Sequence, residues 1–218
     1  MEYLIRRAIV KDIPFIAKTI IEAEKSMTNE CGLANFFGLD ENTTQNLLIQ
    51  ILEEEVDGCE FSLSNFMVAT YNNEAVAAMG GWLEGAEDGM ASAIIKSNLI
   101  GYFFPKESLA IARENGAIIE DIQIEREMGT YQLEYSFVEE KHRGNRLINR
   151  LMTELLSEAK KKYPEVKKAQ LHPFENNPTI IKVHERSGYK IVKRYESKNP
   201  EVLKFMPYNV MLLMEKEL

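Results

Sequence analysis

Strict alternation over residues 131–138, followed after a short polar turn by the clearest amphipathic helix of the chain, constrains this fold more than any other feature. Tyr131, Leu133, Tyr135 and Phe137 fall on one side of an extended backbone, and Gln132, Glu134, Ser136 and Val138 on the other, which predicts a strand. Leu147, Leu151 and Leu155 stand in one helical row with Ile148, Met152, Leu156 and Ala159 beside it, so residues 144–162 read as a helix that Pro164 closes. Between them lies a basic turn, Lys141-His142-Arg143-Gly144-Asn145-Arg146. The first amides of a helix lack internal partners and carry the positive end of its dipole, so a glycine-containing turn at that point suits a phosphate or pyrophosphate. Arg143 and Arg146 can add charge-assisted bonds there, or be ordinary solvated arginines.

The rest of the chain alternates between the same two periods. Residues 3–8 read as a strand, and Asp12 and Pro14 open a helix carrying Ile13, Ile16 and Ile20. A second helix is expected over 41–56 and a loop over 26–39. Two strands at 66–71 and 74–79 flank Asn72-Asn73, residues that tolerate positive φ. Helical composition marks 91–100 and 106–113, with Gly116 as a stop; branched residues from Ala117 to Ile124 predict a further strand. Beyond the central helix we expect a strand at 166–172, a helix at 178–187 ended by Gly188, and strands near 189–195 and 208–216. This order is that of a mixed α/β domain, taken as one unit over 1–218.

Composition narrows the function. Lysine and arginine number 26 against 34 aspartate and glutamate, a net charge of −8, which argues against nonspecific nucleic-acid binding and accommodates a cationic partner more easily. The charged start and the lack of an apolar run of membrane-spanning length predict a cytoplasmic protein without a membrane partner. Cys31 and Cys59 are not at metal-ligand spacing, and His142, His172 and His184 are far apart, so no metal is expected.

A second constellation, Asn176-Asn177-Pro178 through Val183-His184-Glu185-Arg186-Ser187-Gly188-Tyr189, gives a strand exit, a capped helix, then glycine and an aromatic strand start. Together with Val138 and Arg143-Gly144-Asn145, it resembles the acetyl-CoA binding region of the GNAT superfamily of acyl-CoA-dependent N-acyltransferases. Ile5 to Pro14 also look like that family's first strand and helix entry. The resemblance covers 1–25, 64–83 and 131–218, and sets off longer connections, or insertions, at about 26–63 and 84–130. Arg146 and Ile148 stand where the family usually has glycine and glycine or alanine. His184 occupies the place of a tyrosine that protonates the leaving thiolate in many members.

The resemblance implies an α/β (α+β) fold with a mixed, mostly antiparallel sheet of about seven strands and helices on both faces. It implies transfer of an acetyl or other acyl group from acetyl-CoA to a primary amine of a small molecule or peptide within a ternary complex. Ser136, Phe137 and Val138 would border pantetheine, Arg143, Gly144, Asn145, Arg146, Leu147 and Ile148 the pyrophosphate. Asn177 would cap the helix at 178 or reach pantetheine. Glu134 would be the general base and His184 the general acid, or else a solvent-facing strand glutamate and a packing histidine. A catalytically weak acyl-CoA-binding or regulatory module is the first alternative, and an interaction subunit using 84–130 as a dimer surface the second; a homodimer is compatible with the enzyme too. The acidic run Glu53 to Glu60 reads as a solvated face or an attraction for a cationic amine. Phe36, Phe37, Trp82, Tyr102, Phe103 and Phe104 read as core or as an acceptor pocket.

Overall fold

The computed structural model describes residues 2–86 and 88–218. One sheet contains β1 (Leu4–Arg7), β2 (Phe66–Tyr71), β3 (Glu74–Leu83), β4 (Tyr131–Val138), β5 (Lys168–Leu171), β6 (Lys190–Glu196) and β7 (Val210–Glu217). Their order is β1-β2-β3-β4-β5-β7-β6. All neighbours are antiparallel except β4 and β5, so the chain forms the seven-stranded, mostly antiparallel sheet that was expected. The hairpin between β2 and β3 turns on Asn72 and Asn73 with φ of 50° and 66°, the paired left-handed geometry that matches strand twist.

The helices are α1 (Ile13–Lys25), α2 (Gly32–Phe36), α3 (Glu41–Glu53), α4 (Ser92–Phe103), α5 (Lys106–Ile119), α6 (Leu147–Lys162) and α7 (Pro178–Arg186). Apolar stripes explain where they sit. Leu147, Leu151 and Leu155 of α6 bury against Met67, Met79, Tyr131 and Leu133 on one face of the sheet. Ile13, Ile16 and Ile20 of α1 join Leu48, Ile51 and Leu52 of α3 over Phe66, Val68 and Ala78 on the other. Each such side chain contributes about 1.5–3 kcal/mol by burial, and the opposed stripes hold the sheet between two layers. Asp40 caps α3 by accepting from the Thr43 amide at 2.9 Å, and Asn177 caps α7 by accepting from the Ile180 amide at 3.2 Å.

Three expectations are corrected. Residues 26–39 contain the short helix α2. Helix α5 runs through Gly116 to Ile119, and residues 117–124 form no strand, because Ile119 and Ile122 bury against Val202 instead of pairing along a sheet edge. The alternation of β4 is also broken. Its register with β3 steps from Met79↔Ser136 to Gly80↔Glu134, leaving Tyr135 as a bulge residue with φ of 50°. Tyr131 and Leu133 face the α6 core, whereas Tyr135 packs with the α1 core and Phe137 lies against Phe15 of α1. Val138 packs against the α6 core, so Glu134 and Val138 do not share the face that unbroken alternation assigns them. Gly80 lies opposite the bulge, where a Cβ would stand 3.2 Å from the Glu134 carbonyl oxygen and 3.1 Å from the Phe66 ring.

Candidate active site

Strands β4 and β5 pair only at Tyr131↔Ala169, Gln132↔Gln170 and Leu133↔Leu171. Beyond Leu133, β4 continues to Val138 while β5 has ended, so the two form a fork with one edge of β4 left unpaired by β5. An extended ligand that offers alternating donors and acceptors can pair with such an edge.

At the open end of the fork, β4 enters the basic turn and then α6. Gly144 has φ of 81° with open space where a Cβ would be, and Arg146, the residue before α6, has φ of 56°. Arg146 thus adopts the left-handed conformation that glycine takes at little cost. Among the described residues, no side chain caps the first amides of α6. Asn145 braces the turn by donating to the carbonyls of His142 and Arg143 at 3.0 and 3.3 Å, and Arg143 Nε donates to the Val138 carbonyl at 3.2 Å. Lys141, Arg143, Gly144, Asn145 and Arg146 are exposed, Leu147 is buried and Ile148 half-buried in the α6 core. Open amides, cations and space fit a pyrophosphate, with the left-handed backbone preserved at Arg146 despite its side chain.

The closed end of the fork carries a buried polar network. Glu134 and His172 are the first residues past the last β4–β5 pair, and His172 Nδ1 lies 3.4 Å from Glu134 Oε1. Arg126 donates through Nε and Nη2 to Glu134 at 2.7–2.9 Å and through Nη2 to Glu60 at 3.0 Å. Lys96 of α4 pairs with Glu60 at 2.5 Å. Tyr135, turned toward α1 by the bulge, donates its hydroxyl to Glu24 Oε1 at 3.1 Å. Two atoms in this network are buried without a hydrogen-bond partner among the described residues, Glu60 Oε2 and His172 Nε2.

The carboxylates are tuned in opposite directions. Burial acts to raise the Glu134 carboxyl, but the Arg126 charge and the His172 hydrogen bond outweigh it and hold it down to about 2. Glu60 is lowered in the same way, Lys96 and Arg126 overcoming burial. Glu24 is pushed up to about 6 by burial, and by the charges of Glu134 and Glu60, against the pull of the Tyr135 hydrogen bond and Lys96. A carboxylate held near 2 is a weak proton acceptor at neutral pH, and Glu134 is an anchored group rather than the solvent-facing strand residue of the plainer expectation.

His184 is buried beside Tyr189, its Nδ1 has no hydrogen-bond partner among the described residues, and burial lowers it to about 4. It is a neutral imidazole at physiological pH, so the expectation of an imidazolium acid finds no support in its surroundings. The aromatic residues do not gather into one pocket: Phe36, Phe37 and Phe104 pack in the α1 layer, Trp82 is buried with Nε1 on Glu84, and Tyr102 is 81% exposed. Sequence reasoning did not single out Glu24, Lys96, Arg126 or His172 as site residues, and it took Glu60 for part of a solvated run. The one signal available was that Lys96 and Arg126 lie in the long connection at 84–130 and Glu60 in that at 26–63. Cys31 and Cys59 are free and buried, each raised to about 11 by burial. Among the described residues, no helix is long and apolar enough to cross a membrane.

The family model for the acetyltransferase (GNAT) family matches residues 50–189. No curated protein sequence matches the chain. Among solved structures, an N-acetyltransferase from Staphylococcus aureus Mu50 is similar at 15% identity over 97% of this chain and 99% of that one, with a TM-score of 0.67. An agmatine N-acetyltransferase mutant in its apo form is similar at 11% identity over 100% of both chains, with a TM-score of 0.59. The Salmonella typhimurium protein yncA, solved with its cofactor acetyl-CoA, is similar at 13% identity over 100% of this chain and 95% of that one, with a TM-score of 0.56. At these identities the likeness is one of fold.

Proposed function

We propose, for a chain that belongs to the acetyltransferase (GNAT) family, that it is an N-acetyltransferase moving an acetyl group from acetyl-CoA directly to a primary amine of a small molecule or peptide. The observation that carries this reading is the fork: β4 and β5 part after Leu133 and Leu171, and the unpaired edge of β4 leads straight to the open amides at the head of α6.

In this reading the backbone of Ser136, Phe137 and Val138 pairs with pantetheine along the free edge, and the turn from Arg143 to Ile148 takes the pyrophosphate. Asn177 caps α7. That hydrogen bond occupies its side-chain oxygen and leaves its amide nitrogen for pantetheine. The thioester supplies an activated acyl carbon; the protein's part is to align the amine, stabilise developing negative charge on the carbonyl oxygen with a backbone donor, and remove protons from the amine. Because a thiol titrates near 8.5, the thiolate is a tolerable leaving group without a dedicated acid. This matches the buried, neutral state of His184. Glu134, fixed by Arg126, is a positioning residue that orders the fork and orients His172. Agmatine, the amine named for one similar structure, belongs among the first acceptors to test.

Thermal unfolding with and without acetyl-CoA tests the first half of this reading. Ligand at ~100 times its dissociation constant adds about 2.7 kcal/mol, which at this chain length raises the midpoint by roughly 5–10 °C. Thiol release on adding primary amines tests the second half. A midpoint unmoved by millimolar acetyl-CoA would overturn the proposal.

A further inference from the structure

At the closed end of the fork three carboxylates, Glu24, Glu60 and Glu134, face two cations, Lys96 and Arg126. Both cations are spoken for. Arg126 bridges Glu60 and Glu134, and Lys96 is on Glu60. Glu24 is the carboxylate left over: among the described residues no cation is in ion-pair contact with it, and its hydrogen-bond partner is the Tyr135 hydroxyl. Its sequence neighbour Lys25 is turned to Glu22 and Glu41.

Glu24 is also the member of the trio placed for contact with an incoming molecule. Glu60 is fully buried; Glu24 and Glu134 are both half-buried, but Glu134 is held by Arg126 and Glu24 is left to the Tyr135 hydroxyl. It sits in the last turn of α1, whose end is tied across the fork by two hydrogen bonds between Ser26 and Asn176, at 2.8 and 3.3 Å. It therefore lies between the β4 bulge on one side and the chain leaving β5 on the other. The unpartnered Glu60 Oε2 and His172 Nε2 mark the same region as one where polar groups lack a partner.

We propose that Glu24 receives the ammonium of the acceptor amine at the fork and takes a proton from it, an assignment that rests on the acetyltransferase reading above. An aliphatic primary ammonium supplies the charge that the trio of carboxylates lacks, and its removal from water is offset by the ion pair it forms. Of the two protons the ammonium loses in becoming an amide, one passes to the Glu24 carboxylate and on to solvent. The other ends on the departing sulfur as the new C–N bond replaces the C–S bond. The groups facing Glu24 are Tyr135 and Glu134 of β4, Glu60 and Cys31 from the connection between α1 and β2, and Lys96 of α4. Arg126 stands behind Glu134 and Glu60. Their balance leaves the carboxyl titrating at about 6, so it is ionised at neutral pH yet basic enough to hold a proton in passing.

The test uses the full chain, acetyl-CoA, and n-butylamine, 1,4-diaminobutane, agmatine and an N-terminally free peptide as acceptors, with thiol release followed from pH 5 to 9. The wild type is expected to show a loss of kcat/KM on the acid side near pH 6. Glu24→Gln should lower kcat/KM by 10²-fold or more and abolish that limb, while its midpoint shift with acetyl-CoA equals that of the wild type. Glu24→Asp should restore part of the rate. Tyr135→Phe removes a hydrogen bond that stabilises the carboxylate, so it should carry the limb to higher pH. A Glu24→Gln variant that keeps the wild-type rate, or a limb that survives in it and disappears in His172→Asn, overturns the assignment to Glu24 alone. If the wild type binds acetyl-CoA and acetylates none of the amines, the reading beneath the assignment falls, and the assignment with it.

Discussion

The two ends of the β4–β5 fork are built on opposite plans. The open end is wet and built from one stretch of chain: its residues run consecutively from Ser136 to Ile148, most of the turn is exposed, and Arg143 and Asn145 brace it by local hydrogen bonds, while Glu139 and His142 reach out to Lys18 and Tyr3. The closed end is long-range and largely dry. Glu24, Glu60, Lys96, Arg126, Glu134 and His172 come from six separate parts of the chain, and the Arg126 guanidinium joins Glu60 to Glu134 at their centre. The difference teaches that a site for an extended anionic ligand can be made by a single strand–turn–helix, whereas a site that discriminates a small cation needs charges held in low dielectric by the whole fold.

The largest test of this contrast is to remove the hub. Arg126→Met leaves Glu134 with His172 as its nearest partner and Glu60 with Lys96 alone, in buried surroundings. Breaking a buried pair from one side costs about 3–5 kcal/mol, so the unfolding midpoint at neutral pH should fall by roughly 6–20 °C. Arg143→Ala at the open end should move stability by no more than about 0.5 kcal/mol, and weaken acetyl-CoA binding instead. Urea titrations of the two variants separate the outcomes. Equal, small losses would mean that the closed end is as solvated as the open one.

The same contrast governs what the sequence disclosed. The open end was legible because its signal is local: alternation, a glycine, and an apolar helical row within one stretch. The sheet and six of the helices were legible for the same reason. The closed end was not. Glu60 lies in an acidic run whose other members are mostly exposed, and nothing local distinguishes the one glutamate that Lys96 and Arg126 pull inside. The bulge at Tyr135 carries no glycine or asparagine to announce it, yet it moves Tyr135 and Phe137 to the α1 face and so brings the tyrosine to Glu24. Ile118, Ile119 and Ile122 read as a strand by their branching, but α5 runs to Ile119, and Ile119 and Ile122 pack against Val202 as the end of a helix and a turn.

Acid stability sharpens the comparison at intermediate size, because it reads a third region, the neutral imidazole under α7. The His184 ring titrates near 6.5 when exposed and at about 4 in the folded chain. Between these values the unfolded chain binds the extra proton, so this contribution is complete above pH 6.5 and is lost as the pH falls toward 4, by about 3 kcal/mol in all. Glu24 opposes it: its folded value of about 6 lies above the ordinary 4.5, so folding gains as the pH falls from 6 to 4.5. His184→Leu should therefore be more stable than the wild type at pH 4.5 by a larger margin than at pH 7.5. Denaturant titrations at the two pH values measure that difference, and an unchanged margin would show that burial leaves the His184 ring titrating as it does in the unfolded chain.

The smallest expected effect is at the open end, where Arg146 keeps a left-handed backbone, φ 56°, that glycine adopts more cheaply. An L side chain in that region costs about 1–2 kcal/mol, and glycine loses roughly 0.5–1 kcal/mol more backbone entropy on folding, so Arg146→Gly should stabilise the chain by at most about 1.5 kcal/mol. The same change removes a cation from beside the open amides of α6. Acetyl-CoA should then raise the midpoint less than it does in the wild type, with the gap closing as salt screens the arginine. If instead the variant is destabilised by more than about 1 kcal/mol, the Arg146 side chain itself holds the turn. The turn would then be held by a side chain, as the closed end is, rather than by its backbone, and the division between the two would fail at the point where it is drawn most sharply.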